Sequence, residues 1–159
     1  MRNIVLARVD DRLIHGEVVS VWTPSLSVNR IVIADDAVAA DKFNCKVLKV
    51  LAPAGVKVNV YTVDEATEKM KTEGPKTEKV MILAKTPITF LRMVENGLDL
   101  KEINLGGMGI RDERTPFIKN VACSPEEIES VKKMLDKGIR VYYQLVPEQQ
   151  IIEAAGYIK

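Results

Sequence analysis

The feature that most constrains the fold is an alternation: short runs rich in β-branched residues are separated, along the whole chain, by longer segments of helical period. Residues 3–8, 30–34, 57–61, 79–84 and 102–105 each read as a buried strand, with 139–145 as another and 115–121 as a further candidate. Helical patterns occupy 14–22, 40–51, 64–71, 86–95, 124–137 and 147–155. Several of these carry boundary signals. Asp64 precedes Glu65 and Ala66, Thr86 precedes Pro87, and Ser124-Pro125-Glu126-Glu127 combines an N-cap, a first-turn proline and a capping-box glutamate. Gly97 and Gly138 stand where helices should stop. Strands alternating with helices demand right-handed crossovers. The expected fold is therefore α/β, an open, mainly parallel sheet with helices on both faces and ligand chemistry at the carboxyl ends of the strands. With no internal repeat and no long linker, residues 1–159 are expected to form one domain, Gly74-Pro75 lying in a surface turn.

Charge and apolar runs limit the function classes. Lysine plus arginine number 23 and aspartate plus glutamate 22, a balance without the strong positive field that nucleic-acid binding requires. No apolar run reaches the length of a membrane span and the N-terminus lacks a signal peptide's apolar region, so a soluble, cytoplasmic protein is expected. Cys45 and Cys123 are far apart, with no CxxC spacing and no histidine cluster, and are expected to be ordinary thiols.

Chemistry concentrates where the first strand ends. Arg8-Val9-Asp10-Asp11-Arg12-Leu13-Ile14-His15-Gly16-Glu17-Val18 crowds charge around the only histidine in the protein. A neutral imidazole carries a lone pair near neutral pH and attacks phosphorus without an external base. Phosphoryl transfer asks mainly for in-line positioning and for positive charge on the phosphoryl oxygens, which Arg12 can offer as a planar fork. Gly16 allows close backbone approach, and a helix starting near Ile14 would add its free amides. Asp10 or Asp11 could pair with Arg8 or Arg12 in a purely structural network, or could orient the imidazole by accepting from the nitrogen that does not attack.

Arg8-Val-Asp10-Asp11-Arg12-Leu-Ile-His15-Gly16, followed by Val18 and Trp22, closely resembles the opening of the enzyme IIB components of the mannose (mannose–fructose–sorbose) branch of the bacterial phosphoenolpyruvate-dependent sugar phosphotransferase system. The likeness continues through Asp35-Asp36, Lys85-Thr86-Pro87, Asn104-Leu-Gly106-Gly107-Met108 and Pro147-Glu148, and so covers essentially the whole chain. It implies a seven-stranded, mainly parallel sheet with strands four and five on either side of strand one. It also implies a phosphohistidine at His15, formed at Nδ1, with Arg12 as phosphate ligand and Asp10 ordering the loop. The phosphoryl group would come from a phosphorylated IIA protein or domain. It would go to a sugar of the mannose, fructose, sorbose or amino-sugar class, bound by the membrane components IIC and IID, with which the protein would associate peripherally. No cofactor or metal is implied. Glu17 departs from the family, which very often has glutamine there; an anion so near a phosphoryl group opposes phosphorylation unless it points away or pairs with a base.

Weaker candidates flank this loop. Asp11, Gly16, Lys85, Thr86, Gly106 and Gly107 are candidates for phosphate or partner contact; Gly106-Gly107-Met108-Gly109 could form a backbone nest, though a tight turn explains it nearly as well. Asp35 and Asp36 are expected to cap a helix, and Trp22 and the methionines to pack in the core. Two rival readings exist. Paired aspartates after strand one and Lys85-Thr86 after strand four suggest a magnesium-dependent aspartyl-phosphate receiver, but strand three ends in Val60-Tyr61-Thr62-Val63 without the acceptor aspartate. A module that binds a phosphorylated ligand without turnover is the other.

Overall fold

The computed structural model describes residues 1–158. Its main sheet has seven strands in the order β3-β2-β4-β1-β5-β8-β9, comprising β1 (Ile4–Val9), β2 (Arg30–Ala34), β3 (Lys57–Tyr61), β4 (Val80–Ala84), β5 (Glu102–Leu105), β8 (Arg140–Tyr143) and β9 (Ile152–Glu153). All neighbours run parallel except β9, which pairs antiparallel with β8 at the edge. β4 is buried at every position, the signature of a strand covered on both faces.

The core divides by sheet face. Ala7 and Val9 of β1 face the cluster built from α4 (Val63–Lys71), α5 (Pro87–Glu95) and α6 (Pro125–Asp136). Leu6 faces the other cluster, with Leu13, Ile14, Val18, Trp22 and Leu48. That face is covered by a π-helical segment Val18–Trp22 running into α1 (Thr23–Ser25), and by α2 (Asp36–Ala40) and α3 (Lys42–Val50). β1 thus sends its chain to one face while its neighbours β4 and β5 lead to elements on the other. Their carboxyl ends open the crevice in which such sheets hold ligands.

Most expected elements form at or near their predicted positions, and the differences have local causes. Helical backbone begins at Gly16 rather than Ile14 and widens into a π turn, in which the Thr23 amide and hydroxyl both donate to the Val18 carbonyl. Pro24 has no N–H for the Ser20 carbonyl and its ring presses on that turn, which the widening relieves. The helix expected over 40–51 is two: Asp41 leaves helical dihedrals (φ −100°, ψ 94°) and its side chain caps α3 through the Asn44 amide. α4 is capped by Thr62 in a capping box with Glu65, not by Asp64. Residues 115–121 belong to a separate hairpin, β6 (Thr115–Ile118) and β7 (Val121–Cys123).

The helix expected over 147–155 does not form. Gln144 Nε2 donates to the Pro147 and Gln149 carbonyls and Leu145 N to Gln149 Oε1, tying the chain into a reversal that delivers β9. Gly97 and Gly138 stop helices at φ +101° and +83°. Among the described residues no helix is long and apolar enough to cross a membrane.

Candidate functional site

Alternation along β1 puts residues 6, 8 and 10 on one side of the sheet, so an arginine and an aspartate enter an otherwise apolar layer. Both side chains are fully buried. Charged groups persist there only when paired, and Arg8 is. Its Nη2 donates to Asp10 Oδ2 (3.2 Å) and the Leu145 carbonyl (3.2 Å), its Nη1 to Asn104 Oδ1 (2.6 Å) and the Gln144 carbonyl (3.1 Å). Trp22 lies against it, ring centroid 5.2 Å from the guanidinium carbon, and donates its Nε1–H to Leu145 O (2.8 Å). Burial lowers the Arg8 pKa, with Asp10 opposing.

Past Val9 the backbone stays pinned on both sides. Asp10 N donates to Ala84 O, Gly106 N to Val9 O and Asp11 N to Gly107 O. Asp10 then folds the loop over itself: its Oδ1 accepts from Arg12 N (3.1 Å) and its carbonyl from Leu13 N (3.1 Å). Leu13 takes φ +57°, a costly conformation for a leucine, while its side chain is buried in the core. His15 emerges next, its side chain about one-eighth exposed, and its Nε2 lies 2.8 Å from Asp10 Oδ2. A carboxylate only accepts, so this contact fixes the proton on Nε2 and leaves the lone pair on Nδ1. The first intrahelical bond beyond it runs from Val19 N to His15 O (3.0 Å), and the preceding amides have no helical acceptor.

Arg12 is exposed, its Nε 3.7 Å from Asp10 Oδ1 and its Nη2 3.9 Å from Glu17 Oε2. Glu17 therefore faces a base. Gly16 is exposed, and a Cβ built on it would meet nothing within 4 Å. Gly106 and Gly107 border the loop, but what they meet is its buried base. A Cβ at Gly106 would lie 2.4 Å from the Arg8 guanidinium, and Gly107 N donates to Asp10 Oδ2 at 3.4 Å.

The remaining candidates gather around a residue that sequence reasoning missed. Arg114 is buried and binds Asp11 (Nη1 to Oδ1, 2.8 Å), Glu127 (Nε to Oε1 and Nη2 to Oε2, both 2.8 Å) and the Lys85 carbonyl (3.3 Å). Thr86 donates to Glu127 Oε2 (2.7 Å) and caps α5 through the Ile88 amide. Asp11 also accepts from Gly109 N (2.8 Å). Asp11, Lys85 and Thr86 are thus joined to one another, not to His15. Burial opposes the charges on Arg114 and Glu127, yet their mutual bonds outweigh it: the Arg114 pKa is raised and that of Glu127 lowered. Asp35 caps α2 through the Val38 amide, as expected, while Asp36 accepts from Val63 N and Arg92. Among the described residues no group of three or more His, Cys, Asp or Glu side chains could hold a metal.

Comparison with known proteins places this geometry. A family model described as the PTS system sorbose subfamily IIB component matches residues 4–159. The chain belongs to that family. This IIB chain is 34% identical over 143 residues to the sorbose-specific EIIB component of Klebsiella pneumoniae, covering 90% of the chain and 87% of the relative. It is 37% identical over 138 residues to the mannose-specific EIIAB component of Escherichia coli (strain K12), covering 87% of the chain but 43% of that longer relative. The crystal structure of the IIBSor domain of the Klebsiella pneumoniae sorbose permease superposes with a TM-score of 0.90 at 32% identity, covering 98% of the chain and 96% of the other. The chain thus spans less than half the length of the mannose-specific EIIAB relatives it matches and most of the length of the sorbose-specific EIIB one.

Proposed function

We propose that His15 is the phosphoryl carrier, accepting the group at Nδ1 from a phosphohistidine of a IIA protein or domain and passing it to a sugar held by the membrane components IIC and IID. The 2.8 Å contact between His15 Nε2 and Asp10 carries this reading, because it commits the other nitrogen to a lone pair at the mouth of the sheet crevice. In the first step the Nδ1–P bond forms as the donor's N–P bond breaks, with no change in the number of protons on the His15 ring. In the second a sugar hydroxyl attacks phosphorus, the Nδ1–P bond breaks with its electron pair returning to Nδ1, and the hydroxyl proton passes to solvent.

Residues around the ring fit these demands. Asp10 stays hydrogen-bonded to Nε2–H as the ring gains positive character. Arg12, exposed and held only by long contacts to Asp10 and Glu17, is free to turn its fork toward the phosphoryl oxygens. The open space over Gly16 and the first amides of the following helix suit an incoming anion.

Incubation with phosphoenolpyruvate, the general phosphotransferase proteins and the cognate IIA, followed by intact-mass measurement, tests the proposal. The expected result is one added phosphoryl group, labile in acid and stable in alkali, and none on His15→Ala. Unmodified wild-type protein, or equal labelling of His15→Ala, overturns it. Arg12→Ala is expected to slow transfer by roughly 10²–10³-fold with an unchanged melting temperature, and wild-type rates would reject the role given to Arg12.

A further inference from the structure

The stretch that begins with α3 and runs through the edge strand β3 has a composition unlike the rest of the chain. Between Asp41 and Asp64 it contains Lys42, Lys46, Lys49 and Lys57 and no acidic residue, in a protein of net charge +1. Within the described residues the lysine ion pairs are Lys71–Glu68 and Lys101–Asp99, so these four lysines have no acidic partner. α3 and its C-cap residue also carry the densest exposed apolar surface. Phe43 (77% exposed), Val47, Val50 (83%) and Leu51 make up four of the eight large apolar residues exposed among those described.

Helical winding arranges these residues. Positions 43, 47 and 50 form one stripe and 42, 46 and 49 the stripe beside it, while Leu48 alone is buried on the opposite side. The exposed side of the helix thus carries an apolar stripe and a lysine stripe side by side, Val50 and Lys46 flanking its outermost line, where an ordinary solvated face would be polar throughout.

We propose that this exposed side docks on an anionic phospholipid surface. Phe43, Val47, Val50 and Leu51 would enter the boundary between headgroups and acyl chains, while Lys42, Lys46 and Lys49 reach lipid phosphates. A second copy of the chain fits poorly, because it would bring lysines to lysines with no acid between Asp41 and Asp64 to receive them. A convex ridge of one short helix is also better matched by a soft surface than by a rigid protein partner, which needs a broader complementary area. α2, which leads into α3, starts at the carboxyl end of β2, and Leu48 of α3 shares a core cluster with Val18 and Trp22. Docking would therefore lay against the membrane the sheet face that also carries the segment following His15.

Co-sedimentation of the full chain with vesicles tests this independently of phosphoryl transfer. Vesicles of equal parts phosphatidylcholine and phosphatidylglycerol are expected to bind it at low salt and release it at high salt, and pure phosphatidylcholine to bind it little. Replacing Lys42, Lys46 and Lys49 together by glutamine should lower partitioning roughly a hundredfold, taking each lysine near an anionic surface as about fivefold. F43S/V50S should lower it about tenfold, and His15→Ala should bind like wild type. The proposal is overturned by absent or lipid-independent binding of the wild-type chain, by wild-type partitioning of folded variants, or by binding that appears only when IIC and IID are reconstituted in the vesicles.

Discussion

Asp10 Oδ2 accepts from Arg8 Nη2 at 3.2 Å and lies 2.8 Å from His15 Nε2, so one buried carboxylate both neutralises a buried cation and selects the imidazole tautomer. Asp10→Asn separates this role from mere packing. The amide can turn an N–H toward Nε2, which drives the ring proton to Nδ1 and occupies the attacking lone pair. Phosphorylation of His15 should fall on the order of 10²–10⁴-fold, and ¹⁵N spectra of His15 should report Nδ1–H in place of Nε2–H. Wild-type rates with an unchanged tautomer would reject the assignment. At this scale the sequence is informative where charge is local: His15, Asp10 and Arg12 lie within six residues of one another, and an arginine inside a buried strand marks Arg8 as paired. It is silent on Arg114, whose partners Asp11, Lys85 and Glu127 come from three other segments. The capping-box pattern discloses one task of Glu127; nothing near it discloses the ion pair.

Elements are legible where their signals are local, and mistaken where a neighbour in space decides. Thr86 and Ser124 cap the helices their sequences announce, because a cap needs only the next three residues. The expected helix over 147–155 fails because its chain must turn to deliver β9 to Tyr142 and Tyr143, with Arg140 binding Glu153. At α4 two candidates compete for one role. Thr62 Oγ1 accepts from the Glu65 amide at 3.1 Å, whereas Asp64 forms an exposed contact with Arg92 at 2.9 Å. Urea unfolding should therefore show Thr62→Ala losing about 1 kcal/mol and Asp64→Ala only about 0.3 kcal/mol. The reverse ranking would return the cap to Asp64.

At the scale of the molecule, strand alternation in the sequence implies the layered sheet, and the strand order then decides which loops meet. Because β1 lies between β4 and β5, the segments after all three strands converge, and the Arg114–Glu127 pair fastens them to the start of α6. This fastening makes stability depend on pH. Burial raises the Glu127 pKa, but the bonds from Arg114, Ser124 N and Thr86 outweigh that and hold it below the ordinary carboxylate value. Between its folded and unfolded pKa values the unfolded chain binds more protons. The Glu127 contribution is therefore fully present above the ordinary carboxylate pKa and is lost as pH falls through the lower folded value. Glu127→Gln should lower stability near neutral pH by about 3 kcal/mol, the low end for a broken buried pair because Arg114 keeps Asp11. Its melting temperature should drop by about 6–12 °C at neutral pH. Toward acid the wild type loses this advantage and the two stability curves, measured by urea unfolding across the carboxylate range, should converge; parallel curves would mean that Glu127 ionisation does not hold these segments together.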